Sequence, residues 1–152
     1  MIRTCLITLL LWLFAGLAGA AEVEPVLLTR AIAGKTLDQA AHDLRRAVEN
    51  HNYTYVREQA IDSRLVPPAW EAKSVRIFYF CNFAKMDRAL RLDPREAQFL
   101  PCRITLVETA HGVNLIAVNP AWTSLALNNP YLHADCLTLK ADYLAIFEEL
   151  EL

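Results

Sequence analysis

The alternation in residues 75–80 constrains the fold of this chain more than any other segment does. One side of the segment carries Val75, Ile77 and Tyr79, and the other side carries Arg76, Phe78 and Phe80. A two-residue period of β-branched and aromatic side chains is typical of a β-strand. We therefore predict a strand over 75–80 that leads directly into Cys81.

The first half of the chain shows a strand, a helix and a second strand. Residues 25–32 are rich in strand-forming side chains, and residues 53–56 are a shorter segment of the same kind. Between them, Thr36 and Gln39 have the spacing of a capping box, which predicts a helix running to about residue 50. Residues 60–73 contain Pro67-Pro68, which excludes a central strand, so we expect an irregular connection there.

The second half predicts two helices and a β-hairpin. A helix over 84–92 is followed by a short turn capped by Asp93, and then by strands over 102–108 and 113–118, which join at Gly112. A last helix is expected to start near Asp135 and to bury Leu137, Tyr143, Leu144, Phe147 and Leu150. The order β-α-β-β-α-β-β-α predicts a single α+β domain, in which helices pack on one face of a largely antiparallel sheet.

The N-terminus has the pattern of an export signal. Arg3 provides the positive charge, residues 6–17 are apolar, and Ala18-Gly19-Ala20 is an A-x-A cleavage site. We expect cleavage after Ala20, which leaves residues 21–152 as a periplasmic or secreted domain. The apolar run is shorter than the roughly 20 residues that span a bilayer, so no stable membrane insertion is expected after cleavage.

The charge balance argues against a nucleic-acid partner. The 15 Lys and Arg residues face 17 Asp and Glu residues, which gives a net charge of −2. Loss of Arg3 with the signal makes the mature domain slightly more acidic. Binding to phosphate backbones needs a basic surface. We expect the partner to be a small molecule or a protein of the cell envelope, and its identity stays open.

Cys81 and Cys102 are the residues most indicative of function. If strands 75–80 and 102–108 are antiparallel neighbours, Cys81 at the end of one meets Cys102 at the start of the other. An oxidising compartment would then allow a disulfide, worth about 3 kcal/mol in the chain-entropy model. Asn82, Pro101 and Arg103 flank the pair, and Arg103 suits an anionic ligand.

Two other uses of these sulfurs stay open. The pair is a candidate for thiol redox cycling, or for binding a soft metal such as Cu(I) or a haem. Cys136 and His133 extend the list of candidate metal ligands, and a position at a helix start would lower the pKa of Cys136. No motif for a complete catalytic site is present, so we do not predict an enzyme.

The same residues resemble a known family. The stretches Phe80-Cys81-Asn82-Phe83 and Leu100-Pro101-Cys102-Arg103, with Asp93-Pro94 between them, are similar to the domain of unknown function 302 family. The similarity extends to the helix start at 34–38 and to Asn119-Pro120. It implies a compact α+β domain, often a homodimer, with no established activity.

Two functions follow as hypotheses. The first is an exported domain that binds a small ligand or a partner protein, with Cys81 and Cys102 at its site. The second is a thiol-redox, soft-metal or haem-handling protein of the cell envelope that uses the same cysteine pair.

Overall fold

The computed structural model of the protein describes residues 23–61 and 75–152. The predicted signal peptide, 1–20, lies outside the described residues, as does most of the predicted irregular connection, from 62 to 73. The described residues form five strands, four α-helices and one 3₁₀ helix. In chain order these are β1 (Leu27–Ala33), α1 (Leu37–Asn50), β2 (Thr54–Ala60), β3 (Val75–Cys81), α2 (Phe83–Leu92), the 3₁₀ helix (Pro94–Phe99), β4 (Cys102–Thr109), β5 (Gly112–Val118), α3 (Pro120–Ala126) and α4 (Pro130–Glu149).

The strands form one antiparallel sheet in the order β1-β5-β4-β3-β2. This confirms that β3 and β4 are antiparallel neighbours, and that the fold is α+β. Phe80 lies directly opposite Cys102, and Val75 lies opposite Val107. The C-terminal end of β3 and the N-terminal end of β4 are therefore adjacent, at the same end of the sheet.

The hydrophobic core lies between one face of the sheet and the helices α1 and α4. Phe78 and Phe80 point into it, which confirms the alternation seen in the sequence. From the helices, Leu44 and Phe147 are completely buried against these strands. Burying a large apolar side chain stabilises a fold by roughly 1.5–3 kcal/mol, so this interface holds the layers together.

Helix α1 begins as its sequence predicts. The Thr36 hydroxyl accepts a hydrogen bond from the Gln39 amide, and the Gln39 side chain accepts one from the Thr36 amide. The helix ends at Asn50. Its buried residues fall on the face that meets the sheet: Leu37, Ala40, Ala41, Leu44, Ala47 and Val48.

The C-terminal region corrects two predictions. The last helix begins at Pro130 rather than near Asp135, and a further helix, Pro120–Ala126, precedes it. In both helices an Asn caps the first turn and a Pro follows at the first helical position, an arrangement that favours helix initiation. Tyr143, Phe147 and Leu150 are buried as predicted and Leu144 is partly buried, but Leu137 lies on another face of the helix and is 41% exposed.

Within the described residues, no helix combines the length and the apolar character that a membrane span requires.

We expect Gly112→Ala to destabilise the domain by at least about 3 kcal/mol, at the upper end of point-mutation effects. Gly112 has a φ of +150°, and a β-carbon there would lie 2.0 Å from the carbonyl oxygen of Ile32 on the adjacent strand. Gly34→Ala is the matched control, because Gly34 has a φ of +75° but open space around it. Backbone strain alone should cost that variant about 1–2 kcal/mol. Urea unfolding of both variants measures the difference, and equal losses would contradict the steric argument.

Candidate functional site

Cys81 and Cys102 lie at the same end of two neighbouring strands, but they are not paired opposite one another. Because Phe80 is the residue opposite Cys102, Cys81 is one position further along β3. Successive strand residues point to opposite faces, so the two sulfurs are not aligned for bonding. Both are free thiols in the structure, and the predicted disulfide is not confirmed.

Cys81 and Cys102 are both buried, and a charge on Cys81 would raise the pKa of Cys102 further. The sulfur of Cys81 lies 3.5 Å from the sulfur of Met86 on α2, and burial raises its pKa. Burial also raises the pKa of Cys102 to about 11, although a hydrogen bond with Tyr143 acts in the opposite direction. Since the thiolate is the reactive form of cysteine, these surroundings disfavour sulfur chemistry at neutral pH.

Cys136 is placed differently from its prediction. Because α4 starts at Pro130, Cys136 lies beyond the first turn and is buried, with its sulfur 3.7 Å from the Thr123 hydroxyl. Burial raises its pKa, in the opposite direction to the effect that a helix start would have. His133 instead bonds to the Ser124 hydroxyl at 2.9 Å. Among the residues that the structure describes, no three His, Cys, Asp or Glu side chains come together as a metal site.

Beside Cys102 is a cavity of about 130 Å³. It lies between the 3₁₀ helix, the start of β4 and the helices α2, α3 and α4. Buried side chains form its floor: Glu96, Cys102, Thr123, Leu132, Cys136 and Tyr143. Apolar side chains dominate the rest of the wall, among them Ala89, Phe99, Leu100 and Leu139. Three exposed basic residues form its rim: Lys85, Arg88 and Arg103.

A network around Asp93 fixes the wall that carries Glu96. Asp93 caps the 3₁₀ helix through the Arg95 amide, and its carboxylate also accepts two hydrogen bonds from the Arg95 guanidinium, at 2.7 and 3.0 Å. Asn129, the N-cap of α4, donates to Asp93 at 3.1 Å. The hydrogen bonds from Arg95 and Asn129 hold the pKa of Asp93 far below its usual range. The 3₁₀ helix is thereby tied to the start of α4.

Glu96 is the only carboxylic acid on the floor of the cavity among the described residues. It is 7% exposed, and burial raises its pKa, while a hydrogen bond from Thr123 acts in the opposite direction. The Thr123 hydroxyl lies 3.4 Å from Glu96 but 2.7 Å from the carbonyl oxygen of Pro120. Glu96 is thus a buried polar group at an apolar site.

The basic residues at the rim differ in their partners. Arg88 pairs with Asp135 at 2.6 Å, and Lys85 pairs with Asp142. Arg103 makes no ion pair with any residue in 23–61 or 75–152. An anionic group could therefore bind Arg103 without breaking an existing ion pair of the described residues, whereas Lys85 and Arg88 would first have to release Asp142 and Asp135.

The structure brings together only part of the predicted site. Cys102 and Arg103 line the cavity, whereas Cys81, Asn82 and Pro101 do not. Asn82 is a structural residue, since its side chain caps α2 through the Lys85 amide and donates to the carbonyl oxygen of Asn52. Sequence reasoning missed Glu96 and Thr123. The sequence offered one signal for Glu96: it is an acidic residue in the first turn of the segment that Asp93-Pro94 starts.

Residues 28–150 match the family model described as "Domain of unknown function DUF302". The chain belongs to this family. The match covers β1 from its second residue and the other four strands completely, and it confirms the resemblance seen in the sequence. The chain matches none of the curated proteins compared with it.

The DUF302 domain also has a similar solved structure, the crystal structure of an uncharacterized conserved protein DUF302 from Bacillus stearothermophilus. The TM-score is 0.74 at 13% sequence identity, and the similarity covers 84% of this chain and 99% of that chain. At this identity the similarity shows a shared fold.

We expect the three thiols of the DUF302 domain to resist alkylation while it is folded and to react fully when it is denatured without reductant. For Cys102, a pKa of about 11 should slow the reaction by about two orders of magnitude relative to an ordinary cysteine. Intact mass after treatment with iodoacetamide measures this. Two sulfurs that remain unmodified in the denatured state until a reductant is added would instead demonstrate the Cys81–Cys102 bridge.

We expect the free energy of unfolding of the DUF302 domain to decrease as pH rises through the folded-state pKa of Glu96. Because burial raises this pKa, the protonated acid stabilises the fold. The effect is complete below the unfolded pKa and is lost as Glu96 ionises. Glu96→Gln stays neutral, so its stability relative to wild type should increase with pH in urea unfolding. A difference that does not change with pH would contradict this assignment.

Proposed function

We propose that this protein is an exported domain that binds a small, mainly apolar ligand in the cavity beside Cys102. The observation that carries the proposal is a preformed cavity with an apolar wall, a buried polar floor and a basic rim. Small-molecule sites in proteins commonly combine an apolar wall with a few polar groups that fix the orientation of the ligand.

The volume limits the size of the ligand. An apolar cavity of about 150 Å³ accommodates a benzene molecule. The cavity here, at about 130 Å³, therefore suits a single ring or a short aliphatic chain. A longer ligand would extend past the rim, where Arg103 is placed to bind a carboxylate or another anionic group.

Sulfur chemistry is the less supported alternative. Burial raises the pKa of Cys81, of Cys102 and of Cys136, and the side chains of Cys81 and Cys102 leave opposite faces of the sheet. Redox-active pairs need closely placed thiols with lowered pKa values. The cysteines near the cavity act, on our proposal, as small apolar wall residues.

Export is the second part of the proposal, and it rests on residues 1–20. In the periplasm or outside the cell, the domain would meet its ligand directly after processing.

We expect toluene to bind the wild-type domain with a Kd on the order of 1 mM, which is the affinity available to so few atoms. Ala89 lines the cavity from α2, so Ala89→Trp should fill the space and abolish binding. Ala84→Trp is the matched control, because Ala84 is exposed on the same helix and does not line the cavity. Saturable amide shifts in ¹⁵N-¹H spectra measure binding.

Absence of saturable shifts at the cavity residues of the wild-type domain would overturn the proposal. Loss of binding in both variants would show that a bulky residue anywhere on α2 disturbs the fold. The loss in Ala89→Trp could then not be attributed to filling of the cavity. Binding that persists unchanged in Ala89→Trp would place the toluene elsewhere on the molecule.

A further inference from the structure

The carboxyl group of Glu96 is poorly satisfied by the protein itself. A carboxylate has about four acceptor positions, and a protonated acid has one donor in addition to its acceptors. The one described side chain that donates to it is Thr123, at 3.4 Å. The same hydroxyl has a shorter bond of 2.7 Å to the carbonyl oxygen of Pro120, so its single proton is largely committed there.

The groups around Glu96 do not neutralise it. Three ionisable groups interact electrostatically with Glu96: Asp93, Cys102 and Cys136. Each of these groups is either neutral or negative, so none supplies a positive charge. From the facing helices, Arg88 and Lys85 are paired with Asp135 and Asp142. Arg95 is held by Asp93. No fully buried side-chain oxygen lacks a partner among the described residues, so the carboxyl oxygen of Glu96 that has no protein donor is in contact with solvent through the cavity. A ligand that displaces this water gains affinity when it supplies a hydrogen bond in its place.

We propose that Glu96 selects for ligands that carry a hydroxyl group, so that the ligand class is a small alcohol or phenol. This inference rests on the proposed binding function of the cavity. A hydroxyl matches both states of the acid, because it donates to a carboxylate oxygen and can also accept the proton of a protonated acid. An ether or a hydrocarbon lacks the donor.

The rim excludes the other obvious donor, an ammonium group. Of the basic residues at the entrance, Lys85 and Arg88 are paired with Asp142 and Asp135, so Arg103, which has no ion pair within the described residues, is the one that disfavours the approach of a cation. A buried ammonium–carboxylate pair would also have to overcome the desolvation of both charges. A neutral hydroxyl meets neither obstacle.

Phenol and toluene test this directly, because they have nearly the same size and differ in a hydroxyl against a methyl group. The quantity to compare between variants is the ratio of the Kd for toluene to the Kd for phenol, since the difference in hydration of the two probes then cancels. We expect this ratio to fall by at least about tenfold in Glu96→Leu, through loss of one hydrogen bond to the carboxyl. Toluene itself should bind Glu96→Leu at least as well as wild type.

Glu96→Gln is the matched control. Its amide retains an acceptor and a donor in the same place, so the ratio should stay within a few-fold of wild type. A ratio that is unchanged in Glu96→Leu would overturn the role of Glu96 while leaving the binding function intact. Failure of toluene to bind the wild-type domain would instead overturn the binding function, so the two failures are distinguishable.

Discussion

The pairing of Phe80 with Cys102 across β3 and β4 determines most of the molecule. It directs Phe80 into the core, where the ring meets Tyr53 edge-on at 5.4 Å and Tyr143 at 5.6 Å. The same pairing turns the Cys102 side chain toward Tyr143 and the cavity, and sets Cys81 out of phase with it. A shift of β3 by one residue would turn its core-facing side chains, including Phe78 and Phe80, to the opposite face of the sheet.

The cavity depends on contacts between its walls rather than on any single element. Asp93, Arg95 and Asn129 join the 3₁₀ helix to α4, while Arg88 and Asp135 join α2 to α4. These polar contacts lie around the apolar space and do not fill it. The fold therefore keeps a gap between helices, although most protein interiors are close-packed. Rigid connections at its margins give a ligand a preformed surface and lower the entropic cost of binding.

The strands and the first helix were predictable from the sequence, because each has a strong local signal: the alternation in 75–80, the capping box of Thr36 and Gln39, and Gly112 at the hairpin. The helix Pro120–Ala126 and the true start of α4 had signals too, in Asn119-Pro120 and Asn129-Pro130, but a short apolar stretch between them obscured the boundaries. The strand order predicted that Cys81 and Cys102 would lie at the same end of the sheet. It did not predict which face each side chain would point to, because a shift of one residue in the pairing changes that face. The cavity was beyond prediction, because four separate helices and the start of β4 build it.

β1 pairs with a strand that lies far from it in the sequence. β1 pairs with β5 along its whole length, from Leu27 opposite Val118 to Ala33 opposite Gly112. The N-terminal strand therefore has no partner until β5 exists, and it pairs across a long intervening segment, which imposes a large loop-closure entropy. Topologies with such distant contacts fold slowly compared with helical bundles of similar size. Until β1 arrives, the free edge of β5 is open to strands of other molecules. Once β1 has paired, it covers the edge of β5 and becomes one of the two edge strands of the sheet itself.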